Sequence, residues 1–131
     1  ALTCFECFEH LSEPRKEIDE IFAITPNIFF STVLFSGKVA PPEDWEYYGL
    51  NHGQHIAFFS LKTLKYIAKK HNVYLCSNGE NLHLFTKKKV SQLLFNVLLK
   101  LTTLHFDVVI RKFLTSKTSS DSVMLVNQGK I

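Results

Sequence analysis

Apolar positions fall in short runs separated by polar and turn-forming segments, and the spacing inside each run separates strands from helices. Residues 2–8 are apolar or β-favouring at every position but Glu6, the pattern of a buried strand. Ser12 is a fitting N-cap for a helix that tolerates Glu13 and Pro14 in its first turn and carries Ile18, Ile21 and Phe22 inward. Thr25-Pro26 stops it. Residues 27–35, rich in β-branched and aromatic side chains, are a second buried strand. Two strands joined by one helix form a right-handed crossover and run parallel.

Residues 36–54 hold Gly37, Pro41, Pro42, Gly49 and Gly53 around the aromatic group Trp45, Tyr47 and Tyr48. A loop of this length in a compact domain is often functional. Ser60 then caps a helix over 61–70 with Leu61, Leu64, Ile67 and Ala68 on its inward face. Strands at 73–77 and 82–86 flank Asn78-Gly79-Glu80-Asn81, a hairpin signal, and so pair antiparallel. Beyond Lys88, a stripe of Val90, Leu93, Leu94, Val97, Leu98 and Leu101 marks a long amphipathic helix. Its other face carries Gln92, Asn96 and Lys100, so the stripe is core or interface rather than a membrane contact. A second stripe of Phe106, Val109, Ile110 and Phe113 follows a phase break at Thr102-Thr103. The expected organisation is an α/β unit over 1–87, amphipathic helices over 88–114 and a Ser/Thr-rich flexible tail over 115–131.

Composition narrows the function classes. With 131 residues, 46 % hydrophobic and 12 phenylalanines, one packed domain is expected. A net charge of +3 is too small for a typical nucleic-acid binder, so Lys69-Lys70 and Lys87-Lys88-Lys89 read as solvated surface. No apolar run reaches the length of a membrane span and no leader pattern is visible. The three cysteines are too few for a disulfide framework. Cys4 and Cys7, if both lie in one strand, point to opposite faces and stay reduced, which suits a cytoplasmic protein.

The first run ends in Glu6, Glu9 and His10, an E-x-x-E-H pattern at the carboxyl end of a strand and in the turn after it. In open α/β sheets ligands bind there. This stretch, the phrase Gln54-His55-Ile56-Ala57-Phe58-Phe59-Ser60 and the closing antiparallel hairpin resemble the second half of class I S-adenosylmethionine-dependent methyltransferases, over about residues 1–87. The resemblance is to the branch that carries E-x-x-E-H. It implies a Rossmann-like fold in which the last strand is inserted antiparallel into an otherwise parallel sheet. It also implies S-adenosylmethionine as cofactor, a small-molecule methyl acceptor and O-methyl transfer.

Methyl transfer is mostly positioning, helped by a base or a metal at the acceptor. The resemblance makes Glu6, His10 and His55 the candidate catalytic residues, with Glu6 also facing the cofactor. Glu6, Glu9, His10 and His55 together are the candidate ligands of a divalent metal, a donor set that suits Mg²⁺, Mn²⁺ or Zn²⁺. The other reading of the same residues is that they shape the pocket or cap the next helix. Trp45, Tyr47, Tyr48 and His52 are the candidate acceptor-binding residues, or rings that simply pack the loop. His71 and His83 show no partner in sequence and read as surface or sheet histidines.

The family's cofactor lies on a glycine-rich loop, and this chain has no G-x-G pattern; its glycines are Gly37, Gly49, Gly53, Gly79 and Gly129. With Ala1 opening in mid-strand, the expectation is the C-terminal half of a longer enzyme or a truncated product, inactive by itself. An uncovered first-strand edge predicts a homo-oligomer. The rival function is accordingly a non-catalytic half-fold that acts as a self-association or interaction module.

Overall fold

The computed structural model describes residues 1–36, 45–50, 55–103 and 123. The segment expected to be a flexible tail, apart from Val123, lies outside the described residues, as do the second stripe and His52. Two compact units are present, 1–96 and 97–131. The first carries the sheet and the candidate site.

Among the described residues, β1 (Leu2–Cys4), β2 (Ile28–Ser31), β3 (Tyr74–Ser77) and β4 (Leu82–Thr86) form one sheet in the order β1-β2-β4-β3. β1 and β2 run parallel with Thr3 opposite Phe29. β4 is antiparallel to both of its neighbours and lies between them, with Ile28 opposite Phe85 and Cys76 opposite Leu84. This is the reversed, inserted last strand expected of a Rossmann-like methyltransferase sheet. The hairpin turn is held by Asn78, whose Oδ1 accepts from the N–H groups of Glu80, Asn81 and Leu82. Gly79 at φ +84° supplies the left-handed residue that the turn needs.

Helices α1 (Pro14–Ile24) and α2 (Leu61–Lys70) belong to the same core. Proline at the start of α1 costs nothing, because that N–H has no helical partner. The N-cap is Glu13 rather than the expected Ser12, and Glu17 Oε2 reaches back to the Glu13 N–H at 2.7 Å. α2 begins as expected, with Ser60 Oγ accepting from the Thr63 N–H at 3.2 Å. On one side of the sheet, Ile28, Phe30 and Phe85 pack with Ile18, Leu64, Ile67, Ala57 and Phe59. Phe30 stacks on Phe8 at 4.4 Å and on Phe85 at 4.9 Å between ring centroids. Phe29, pointing the opposite way by strand alternation, meets Phe95 of α3 (Gln92–Thr103) at 6.4 Å.

The long helix thus shows the sheet a residue that lies outside its leucine stripe. Phe95 is buried, whereas Leu93, Leu94, Val97 and Leu98 are exposed, Leu93 by 75 %. Leu93 and Leu94 are therefore not core within the sheet-bearing unit, whereas Val90 is half-buried there. Periodicity did not show that Phe95 is the residue that meets the sheet.

The first strand also ends earlier than its apolar run. Glu6 takes the left-handed conformation, φ 48°, which costs an ordinary residue about 1 kcal/mol or more. Ser31 holds that turn in place: its Oγ accepts from the Glu6 N–H at 2.8 Å and donates to Glu6 Oε1 at 2.9 Å. The kink corrects the expectation for the cysteines. Cys4 and Cys7 do not diverge; their thiols hydrogen-bond, and burial together with the Cys7 contact pushes the Cys4 thiol up to about 12. Both remain free thiols.

Candidate functional site

Past the kink, Phe8, Glu9 and His10 form a single 3-10 turn, closed by the His10 N–H donating to the Cys7 carbonyl at 3.0 Å. Phe8 is the anchor of this turn: fully buried, it packs between Phe30 and Phe59 and carries Glu9 inward beside it. The Glu9 carbonyl accepts from the N–H groups of Ile56 and Ala57, at 2.8 and 3.0 Å. Those two bonds bring residue 55 alongside the turn. A parallel bridge between Leu34 and Phe59 holds the same segment against the extension of β2.

The result is a compact donor group. Ligand atoms of Glu9, His10 and His55 all lie within 4.8 Å of one another, with Glu9 buried, His10 exposed and His55 between. The two imidazoles meet edge to face at 5.0 Å. Glu6, fourth in the expected ligand set, is outside this group; it is exposed and engaged with Ser31.

Two features suit the group to a cation. Glu9 has 0 % exposure, and its Oε2 has no hydrogen-bond partner among the described residues. An unsatisfied buried oxygen costs about 1–3 kcal/mol, more when charged, and a metal ion would remove that cost. His55 Nδ1 faces the Tyr47 carbonyl, which can only accept, so the ring donates there and keeps its lone pair on Nε2. Metal-binding histidines are commonly oriented in this manner. The three residues therefore fit a divalent ion, with one carboxylate and two imidazoles as donors.

Tyr47 connects the site to the loop before it. Its hydroxyl donates to Glu9 Oε1 at 2.7 Å and accepts from the Val33 N–H at 3.1 Å. Burial and the bond to Glu9 push the phenol up to about 12, so it stays a neutral donor through the physiological range. Tyr47 belongs to a 3-10 turn, Glu46–Tyr48, terminated by Gly49 at φ 58°. Trp45, Tyr48 and Phe58 pack mutually edge-on or tilted, with centroids 5.0–5.7 Å apart, and hold this turn over the site. Ser31 was not legible as a site group in the sequence, and Tyr47 was expected as an acceptor-binding residue rather than as a partner of Glu9. The signal for Ser31 was a polar residue at the carboxyl end of a buried strand.

A family model described as a methyltransferase domain matches residues 1–78, more than half of the chain. The chain belongs to that family. No curated protein and no solved structure matches it. S-adenosylmethionine is the usual cofactor of methyltransferase domains. Among the described residues of this one there is no glycine-lined cradle for it. The turn after β1 has no glycine, and the Glu6 N–H at its start is taken by Ser31. A cavity of about 750 Å³ opens at the carboxyl end of β2, lined by Leu34, Phe35, Ser36, Ser60, Leu61, Lys62 and Gly79. None of the cation-fitting residues lines it.

The remaining histidines of the described region have structural roles. His83 is fully buried in β4, where Nε2 donates to the Thr32 carbonyl at 3.0 Å and Nδ1 accepts from Ser77 Oγ at 2.9 Å. Burial lowers its pKa and keeps it neutral. His71 stacks on Phe22 at 3.9 Å and lies 2.9 Å from Asp19, whose carboxyl Lys70 holds below its ordinary range. Among the described residues, no helix is long and apolar enough to cross a membrane.

Proposed function

We propose that this chain is the C-terminal half of a class I methyltransferase of the E-x-x-E-H branch, and that the complete enzyme transfers methyl from S-adenosylmethionine to a hydroxyl oxygen of a small molecule. One observation carries the reading: a fully buried carboxylate with an orphaned oxygen, set beside two imidazoles at the carboxyl end of the sheet. Glu9, His10 and His55 would hold a divalent cation. Bound there, the cation would lower the pKa of an acceptor hydroxyl.

This chain's own residues would do the rest. The Glu9 backbone and the Phe8 anchor fix the turn that carries the donors. Glu6, held at the end of β1 by Ser31, would face the cofactor. Trp45, Tyr47 and Tyr48 would wall the acceptor, with His52 in the same loop. The glycine-rich cradle would come from a preceding half of the enzyme, so this chain by itself would bind the cofactor weakly. A cytoplasmic location is part of the proposal.

The test is transfer of labelled methyl to small hydroxyl acceptors. It uses the chain completed by a glycine-rich cofactor-binding half, with Mn²⁺ or with a chelator. Oxygen-linked product that disappears with chelator and in Glu9→Gln supports the reading. Product that survives both overturns the role of the metal, and product on nitrogen or carbon overturns the acceptor class.

Self-association is the second reading, favoured by the exposed leucines of α3, with Leu94 and Leu98 each exposed by 51 %. It predicts a dimer or larger species in light scattering at micromolar concentration, and a monomer there would remove it.

A further inference from the structure

We propose that Tyr47 is the positioning residue of the cation site, fixing both Glu9 and His55 as donors from a single turn. The inference rests on reading Glu9, His10 and His55 as a cation site and adds the residue that orients it.

Direction follows from hydrogen-bond chemistry. The Val33 N–H can only donate, so at 3.1 Å it occupies an acceptor position of the Tyr47 oxygen. The phenolic hydrogen must then go to Glu9 Oε1, 2.7 Å away, a length typical of a bond to a carboxylate. That bond engages one Glu9 oxygen and leaves Oε2 as the buried oxygen without a partner among the described residues. The same residue's main-chain carbonyl accepts from His55 Nδ1, which puts the His55 lone pair on Nε2. The Tyr47 ring also packs on the His55 ring at 4.4 Å. Two donors from segments far apart in sequence are thus oriented by separate groups of one residue, the hydroxyl for Glu9 and the carbonyl for His55.

That separation makes the proposal testable. Tyr47→Phe deletes the hydroxyl and keeps the ring and the carbonyl. Outer partners of metal ligands commonly contribute about 10–100-fold in affinity, so Tyr47→Phe should weaken Mn²⁺ binding by about that factor. The nitrogen couplings of bound Mn²⁺ in electron paramagnetic resonance should persist, because the carbonyl that orients His55 is untouched. A merely structural role would weaken both or neither. A second measurement needs no substitution. Saturating Mg²⁺ should slow hydrogen exchange of the Val33 amide by about tenfold or more, since Val33 is tied to the site through the Tyr47 oxygen.

The outcomes separate the two claims. If the unsubstituted chain shows no histidine-coupled Mn²⁺, the cation site itself fails and Tyr47 has nothing to position. If it binds Mn²⁺ and Glu9→Gln abolishes the binding, but Tyr47→Phe binds equally well, the site stands and the proposal for Tyr47 is overturned. Should Tyr47→Phe not fold, the Val33 amide decides: slowed exchange supports the proposal, and unchanged exchange overturns it.

Discussion

Replacing Glu9 by glutamine should make the metal-free protein more stable and the metal-loaded protein relatively less so. Glu9 is fully buried, and among the described residues its carboxylate is met by one hydroxyl, that of Tyr47. Burying a charged carboxylate costs several kcal/mol after relaxation, and a single hydrogen bond to a charged group returns about 1.5–3 kcal/mol. Glutamine keeps an oxygen to accept from Tyr47 and places an amide group where Oε2 stood. That group is still short of partners, so the gain is confined to removing the charge, about 1–3 kcal/mol. A divalent ion at a thousandfold excess over its dissociation constant stabilises a folded state by about 4 kcal/mol. The parent chain should receive that contribution and Glu9→Gln should not, which reverses their order by about 1–3 kcal/mol. Urea unfolding followed by far-ultraviolet circular dichroism, in chelator and in saturating Mn²⁺, measures both differences. A variant less stable than the parent in chelator would show that Glu9 is satisfied as it stands, and would remove the reason for placing a cation there.

Other residues of the fold give independent checks. Phe8→Ala removes a ring stacked on Phe30 at 4.4 Å with no exposure, and denaturant unfolding should show a loss of about 3–5 kcal/mol; a loss under 1 kcal/mol would mean that the turn does not hang on Phe8. Ser60→Ala deletes the acceptor for the Thr63 N–H and should cost about 1 kcal/mol, measured in the same way. His83 is neutral in the fold, with its pKa below the ordinary value of 6.5. The unfolded chain therefore takes up the proton first, and stability should be full above pH 6.5 and fall, by at most about 1.4 kcal/mol per pH unit, as pH drops toward the folded value. Comparing the pH dependence of unfolding in His83→Phe with that of the parent isolates this contribution, and identical slopes would contradict it.

The elements that sequence rendered well are those whose ends carry local chemistry. Ser60 before Leu61, and Asn78-Gly79 between two β-branched or aromatic runs, determine helix and hairpin through neighbours a few residues away. β1 was read too long because its apolar run continues to Phe8, whereas the break at Glu6 is stabilised by Ser31, 25 residues distant. The same break turned Cys4 and Cys7 toward each other, which alternation along an unbroken strand forbids. Glu9, His10 and His55 stood out as candidates because carboxylates and imidazoles at a strand's end are chemically conspicuous. Tyr47 stood out as a candidate acceptor-binding residue of the loop, not as a partner of Glu9. Its contact with Glu9 spans 38 residues and depends on where a 3-10 turn places one hydroxyl, for which no spacing rule exists. In α3 the leucine stripe drew attention, yet Phe95, outside that stripe, is what meets Phe29 of the sheet.

The most direct test of the cation site is anomalous diffraction from crystals of this chain soaked in Mn²⁺ or Zn²⁺. A peak is expected about 2.0–2.2 Å from a Glu9 carboxylate oxygen and from imidazole nitrogens of His10 and His55, absent in crystals of Glu9→Gln. A map with no peak among these three residues at saturating metal, or a peak equally strong in the variant, would contradict it.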